Sequence, residues 1–175
     1  MIDTVLILRA TRFAAHKHRD QRRKDEYASP YINHPLALAQ VLAEVGDVTD
    51  AAVLCAALLH DTIEDTETSE QELIAVFGAE IAGIVMEVTD DKTLDKATRK
   101  QMQIAHAAHV SSKAKLVKLA DKICNLRDLA AGPPVDWPLE RRRAYFDWAK
   151  AVVDPLRGVN PALERAFDLA FGARP

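Results

Sequence analysis

The stretch Ala51–Leu59, AAVLCAALL, is apolar at every position and runs straight into HDTIEDT, which carries His60, Asp61, Glu64 and Asp65. A helix that is apolar all the way round has to lie inside a protein with other helices packed about it. Carboxylates brought to the end of such a helix cost several kcal/mol each unless partners compensate them. At about 100° per residue, the four polar side chains fall within an arc of about 140° on one side of a helix expected over Thr49–Asp65. The pattern therefore predicts a central helix whose last turns border a polar interior cavity.

The rest of the chain predicts the helices that surround it. Apolar residues recur at helical spacing almost throughout, and no window alternates as a strand would, so the fold class expected is all-α, a single helical domain over residues 1–175. A first helix is expected over Asp3–His18, followed by the polar segment RDQRRKDEYASPYIN. HPLALAQVLAEV then opens a second helix with Pro35 in its first turn, and Gly46 ends it. Ser69-x-x-Glu72 reads as a capping box, and Gly78 separates that helix from IAGIVMEV. TDDKTL interrupts the pattern before a helix over Asp95–Val110, and SSKAKLVKLADKICNLRDL forms the next. AGPPVDWP is a loop, and helices over Leu139–Val153 and Pro161–Phe171 complete the chain, the last with Asn160 as its N-cap.

Composition excludes several classes. With 49% hydrophobic and 28% charged residues the chain is neither disordered nor fibrous, and a net charge of -3 argues against a general nucleic-acid binder. The apolar runs fall short of the roughly 20 residues of a membrane helix, and MIDTVLILRATRF lacks the features of a signal peptide, so a cytoplasmic protein without a membrane partner is expected. Cys55 and Cys124 have no CxxC spacing and read as buried free thiols.

Two further segments supply partners for the polar cluster. His34 lies in PYINHP, and Asp121 lies in KLVKLADKICNL, where Leu116, Leu119, Ala120, Ile123 and Leu126 take the core side and Asn125 follows Asp121 by one turn. Singly, His34 reads as a helix-start residue and Asp121 as one half of an exposed ion pair. Combined with His60 and Asp61 they form two imidazoles and two carboxylates, a set suited to a borderline or hard divalent metal without selecting one. Glu64 and Asp65 stand one turn beyond, within reach of a water at such an ion.

The ordered set His34, His60-Asp61, Asp121 resembles the HD superfamily of metal-dependent phosphohydrolases. RRK, PYINHP, AALLHDTIEDT, EVTDDKTL, KLVKLADKICNLRDL and YFDWAKAVV, from about Arg19 to Val153, resemble the small alarmone hydrolases related to the hydrolase domain of the RelA/SpoT proteins, close to the metazoan SpoT-like branch. The resemblance implies an HD-domain helical bundle and one metal ion, generally Mn²⁺, held by His34, His60, Asp61 and Asp121. Glu64 and Asp65 match the catalytic acidic pair. The implied substrate is (p)ppGpp, cleaved at its 3′-diphosphate to GDP or GTP and pyrophosphate. Arg23 and Lys24 match nucleotide contacts, and Lys96 and Tyr145 match positions lining the nucleotide site. Asn125 beside Asp121 and Arg141 one turn before Tyr145 are further candidate contacts. His16, His18, His106 and His109 match no ligand position and read as solvent-facing.

The chain has no room for synthetase and regulatory domains, so it is expected only to degrade the signal. A phosphatase acting on NADPH or another phosphorylated nucleotide would use the same site, and a non-catalytic alarmone receptor is the alternative of another class. Intact Glu64 and Asp65 speak against a receptor.

Overall fold

The computed structural model describes residues 3–175; Met1 and Ile2, the start of the N-terminal segment read above, lie outside the described residues. The described residues form helices without a β-strand, the one β-like pairing being an isolated bridge between Arg22 and Pro30. The helices are α1 (Thr4–Lys17), α2 (Asn33–Gln40), α3 (Ala51–Leu59), α4 (Thr62–Asp65), α5 (Glu70–Phe77), α6 (Ala79–Val88), α7 (Lys96–Ala107), α8 (Ser112–Ala131), α9 (Leu139–Val153) and α10 (Pro161–Phe171). No helix among the described residues is long and apolar enough to cross a membrane.

The apolar run is the centre of the bundle, as its composition requires. Every residue of α3 from Ala52 to Leu59 is buried, and α1, α2, α6 and α8 all pack on it. Cys55 and Cys124 are buried free thiols, pushed up to about 11 and about 12 by burial, which leaves both unreactive near neutral pH. Replacing the fully buried Leu59 by Ala in this setting costs about 2–5 kcal/mol.

Helix starts follow the caps. The side chains of Asp50, Asp95 and Asn160 each accept a backbone N–H from the first turn of the helix they precede. Ser69 accepts the Glu72 N–H, but the Glu72 carboxylate pairs with Lys17 at 3.0 Å rather than turning back, so half of the expected capping box forms. α2 passes into a π-helical turn, Val41–Val45, before Gly46. A side chain at Gly46 would meet Leu42 O at 2.8 Å and Leu163 at 3.0 Å, so only glycine lets α10 approach so closely.

The expected helix over Thr49–Asp65 is not continuous. His60 Nδ1 donates to Ala57 O at 2.8 Å and Thr62 Oγ1 donates to Leu59 O at 2.7 Å, so side chains occupy carbonyls that the amides of Asp61 and Ile63 would otherwise use. Asp61 takes φ -99° and ψ -1°, in the bridge region, and α4 starts afresh after it. The break tips Asp61 and the acidic pair out of the line of α3.

Candidate active site

Three elements bring the polar residues together. His34 enters from the first turn of α2, His60 and Asp61 from the break after α3, and Asp121 from the middle of α8. The ligand atoms of His34, His60 and Asp121 all lie within 4.8 Å of one another. His34 Nε2 is 3.1 Å from Asp121 Oδ1, and His60 Nε2 is 2.9 Å from Asp61 Oδ2 and 4.0 Å from Asp121 Oδ1. Both imidazoles are buried.

The donor chemistry fits a divalent cation. Because His60 Nδ1 donates to Ala57 O, Nε2 is the nitrogen turned to the cluster and offers a lone pair once its proton is released; this buried atom has no aligned hydrogen-bond partner despite the nearness of Asp61. Two imidazole nitrogens and two carboxylates suit a borderline ion. Burial alone disfavours the His60 imidazolium, but the Asp61 and Asp121 carboxylates outweigh it and raise the group to about 9 in the metal-free protein. Asp61 and Asp121 are held well below the usual carboxylate range: burial opposes their charge, but His60 and His34 offset this at Asp61, and Lys122 with the two histidines at Asp121. Metal and proton therefore compete for the same imidazole.

A second layer fixes these groups, and sequence reasoning missed most of it. Tyr31 OH donates a hydrogen bond to Asp61 Oδ2. Asn125 Nδ2 donates to Asp121 Oδ1 at 2.6 Å, and the buried Lys122 ammonium donates to Asp121 Oδ2 at 2.9 Å while resting 4.5 Å from the centre of the Trp148 ring. Lys122 could be read from sequence only as one lysine among several on a basic helix; its fixed place beside Asp121 depends on α9 supplying Trp148.

Glu64 and Asp65 diverge. Glu64 is half-buried; it accepts the Asp90 N–H at 3.3 Å and lies 3.6 Å from Arg99. Burial, reinforced by Asp61 and Asp90, pushes its carboxyl up to about 7. Asp65 instead accepts Gln21 Nε2 at 2.9 Å and pairs with Lys92 at 2.7 Å, reaching the loops on either side.

The expected substrate contacts divide into those beside the cluster and those at its margin. Arg23 pairs with Asp128 at 2.7 Å, lies 3.5 Å from Asn125 Oδ1 and stacks 5.7 Å from the Tyr31 ring centre, so it joins the site. Tyr145 packs between Trp137 and Trp148 within the field of Lys122 and Asp121. Lys24 is exposed on the loop after Arg23. Lys96 is exposed in the first turn of α7, and Arg141 lies over the Trp137 ring at 4.1 Å; neither touches the metal-ligand cluster. His16, His106 and His109 are exposed as expected, but His18 is buried, its ring 4.8 Å from that of Tyr31 and its Nδ1 2.6 Å from Gln21 Oε1. Packing under the Tyr31 loop, invisible to helical spacing, accounts for that correction.

A profile of the HD domain family matches residues 10–145. The chain belongs to the HD domain family. The HD domain implies a divalent metal, and His34, His60 and Asp121 form a group that could hold one. Among curated relatives, guanosine-3′,5′-bis(diphosphate) 3′-pyrophosphohydrolase MESH1 of Xenopus tropicalis is 56% identical over 169 residues, 97% of this chain and 94% of the relative. The Homo sapiens protein of the same name is 52% identical over 168 residues, covering 96% and 94%. A solved structure of a metazoan ortholog of SpoT that hydrolyzes ppGpp and plays a role in starvation responses superposes with a TM-score of 0.96 at 48% identity and covers 99% of this chain and 98% of that one.

Proposed function

We propose that this chain is a (p)ppGpp 3′-pyrophosphohydrolase, with residues 1–175 acting as one HD-type domain in the cytoplasm. The observation that carries the reading is the convergence of His34, His60 and Asp121, with Asp61 against His60 and a half-buried Glu64 beside them, in a chain that matches MESH1 proteins over nearly its whole length. His34, His60, Asp61 and Asp121 would hold the metal, which we take to be Mn²⁺. When bound, the ion supplies Lewis acidity, polarising a phosphoryl oxygen and acidifying a water.

The residues of the chain do the rest. Lys122, Asn125 and Tyr31 orient the ligand carboxylates, so the cluster is set before substrate arrives. Water attacks the phosphorus attached to the ribose 3′-oxygen; the new P–O bond forms as the bond to that oxygen breaks, leaving the P–O–P bridge intact. Glu64, with a carboxyl near 7, takes the proton from the attacking water and, as the acid so formed, returns a proton to the departing 3′-oxygen. Asp65 completes the acidic pair and also fastens the flanking loops. Arg23, Lys24 and Asn125 bind the nucleoside side, and Lys96, Arg141 and Tyr145 line the margin of the nucleotide site. The products are a 3′-hydroxyl nucleotide, GDP or GTP, and pyrophosphate.

The test is incubation with Mn²⁺ and either ppGpp or NADPH, following pyrophosphate and orthophosphate, with Asp61→Ala as control. Pyrophosphate and GDP from ppGpp, absent in Asp61→Ala together with stoichiometric metal, are expected. Orthophosphate from NADPH with no turnover of ppGpp would transfer the assignment to a nucleotide phosphatase.

A further inference from the structure

Two lysines one turn apart on α8, Lys118 and Lys122, are both buried, with 8% and 5% of their surface exposed. Lys122 is matched by Asp121. Among the described residues Lys118 has no comparable ion pair: Asp90, Asp121 and Glu64 act on it only through longer-range fields, while Lys122 repels it, and burial holds its ammonium below the usual lysine range. Burying most of a lysine with no ion partner for its ammonium is costly, and a fold that needed only packing there would use an apolar side chain. Lys118 stands one turn before Asp121 and Lys122 on α8, on the side of the helix that carries the candidate metal cluster.

Lys118 also stands in a register that gives the site a direction. Lys118, Asp121, Lys122, Asn125 and Asp128 follow one face of α8 at helical spacing. Arg23 meets the face at its Asn125 and Asp128 end, about 10 Å along the axis from Lys118. Beyond Lys122 lies a positive wall, where Lys100 sits 4.7 Å from the Trp148 ring centre and is held down by burial and by repulsion from Lys96, Lys122 and Arg141. A molecule with a nucleoside at one end and a doubly phosphorylated tail at the other matches this arrangement in one orientation.

We propose that Lys118 is a substrate-contacting residue that receives the distal phosphate of the diphosphate being released, and so favours diphosphate over monophosphate groups at this site. The proposal rests on the hydrolase reading given above. No bond is made or broken at Lys118; its ammonium donates to a phosphate oxygen and neutralises part of the product's charge.

The experiment is calorimetric titration of the Mn²⁺-loaded protein with inorganic pyrophosphate and, separately, orthophosphate at fixed free Mn²⁺, for wild type, Lys118→Met and Lys118→Arg. Lys118→Met should weaken pyrophosphate about tenfold and orthophosphate less than about twofold, with Lys118→Arg recovering most of the loss. Because an uncompensated charge is removed, the melting temperature of Lys118→Met should equal or exceed that of wild type. Equal pyrophosphate affinity in wild type and Lys118→Met overturns the proposal, as does a lowered melting temperature or failure to fold, which would make Lys118 structural. Since binding is read without turnover, absence of ppGpp hydrolysis in wild type would count against the enzymatic reading separately.

Discussion

Glu64 and Asp65 are neighbours in sequence, yet they belong to opposite walls of the cleft. The inner wall, where Glu64 lies, is mostly helix: Arg99 on α7 and Lys118 on α8, with Asp90 two residues past the end of α6, lie about a carboxyl that burial pushes up to about 7. The outer wall, where Asp65 lies, is made of loops, with Gln21 from the α1–α2 connection and Lys92 from the α6–α7 connection meeting on its carboxylate. One wall is suited to adjust a proton affinity, the other to hold movable segments in place. The short α4 makes this division possible, since its restart after the break at Asp61 sets adjacent side chains on different sides.

The largest expected effect breaks the inner wall. Glu64→Gln keeps the volume and the Asp90 contact but cannot accept a proton, so turnover should fall about 10²–10⁴-fold with stoichiometric metal retained. Wild-type turnover should rise with pH as Glu64 loses its proton, at a midpoint drawn below about 7 by the bound cation, and this rise should vanish in Glu64→Gln. Stability gives an independent check on metal-free protein. The folded pKa lies above the ordinary 4.5, so between about 4.5 and about 7 the folded state binds more protons than the unfolded one. This group therefore makes stability fall as pH rises through that window. Melting temperatures in chelator should lose that component in Glu64→Gln; an unchanged slope would remove Glu64 from the inner wall.

How far these walls could be read in the sequence depends on the range of the interactions that build them. Helix starts at Asp50, Ser69, Asp95 and Asn160 are local, because each cap lies within three residues of the amides it accepts, and all four are visible as residue types. The apolar Ala51–Leu59 run announces its own burial, and the HD order supplies the cluster. The break at His60–Asp61 is also local, but apolar periodicity cannot show a histidine and a threonine taking backbone carbonyls. What stays hidden is long-range: Tyr31 on Asp61, Trp148 under Lys122, Arg99 near Glu64, and the uncompensated burial of Lys118. For each, the residue type alone suggests a surface or core role, and only the packing of distant helices reveals the one it has.

Tyr31→Phe gives a smaller effect and probes the junction of the two walls. Tyr31 carries the hydrogen bond to Asp61 while its ring touches His18 and Arg23, so it ties a ligand carboxylate to the outer loop. Burial and the Asp61 charge push its hydroxyl far above the usual phenol range, keeping it a donor at any working pH. Loss of that donor should weaken Mn²⁺ binding about tenfold, the low end for an outer partner of a metal ligand, with the fold unchanged by circular dichroism. An unaltered metal affinity would mean that His60 alone fixes Asp61.

The smallest expected effect belongs to the outer wall. Asp65→Asn retains a hydrogen-bond acceptor for Gln21 but gives up the charge that holds Lys92, whose side chain is about half exposed at 49%. Pairs of that kind contribute about 0.2–1 kcal/mol, so looser loops should raise KM for ppGpp by no more than about fivefold. The loss should also shrink with added salt, because an exposed pair is screened and a buried carboxyl is not. The split between kcat and KM is therefore the decisive reading. If Asp65→Asn lowered kcat as much as Glu64→Gln and did so at every ionic strength, both acids would be acting on the reacting atoms, and the loops would owe their position to Arg23 and Tyr31 instead.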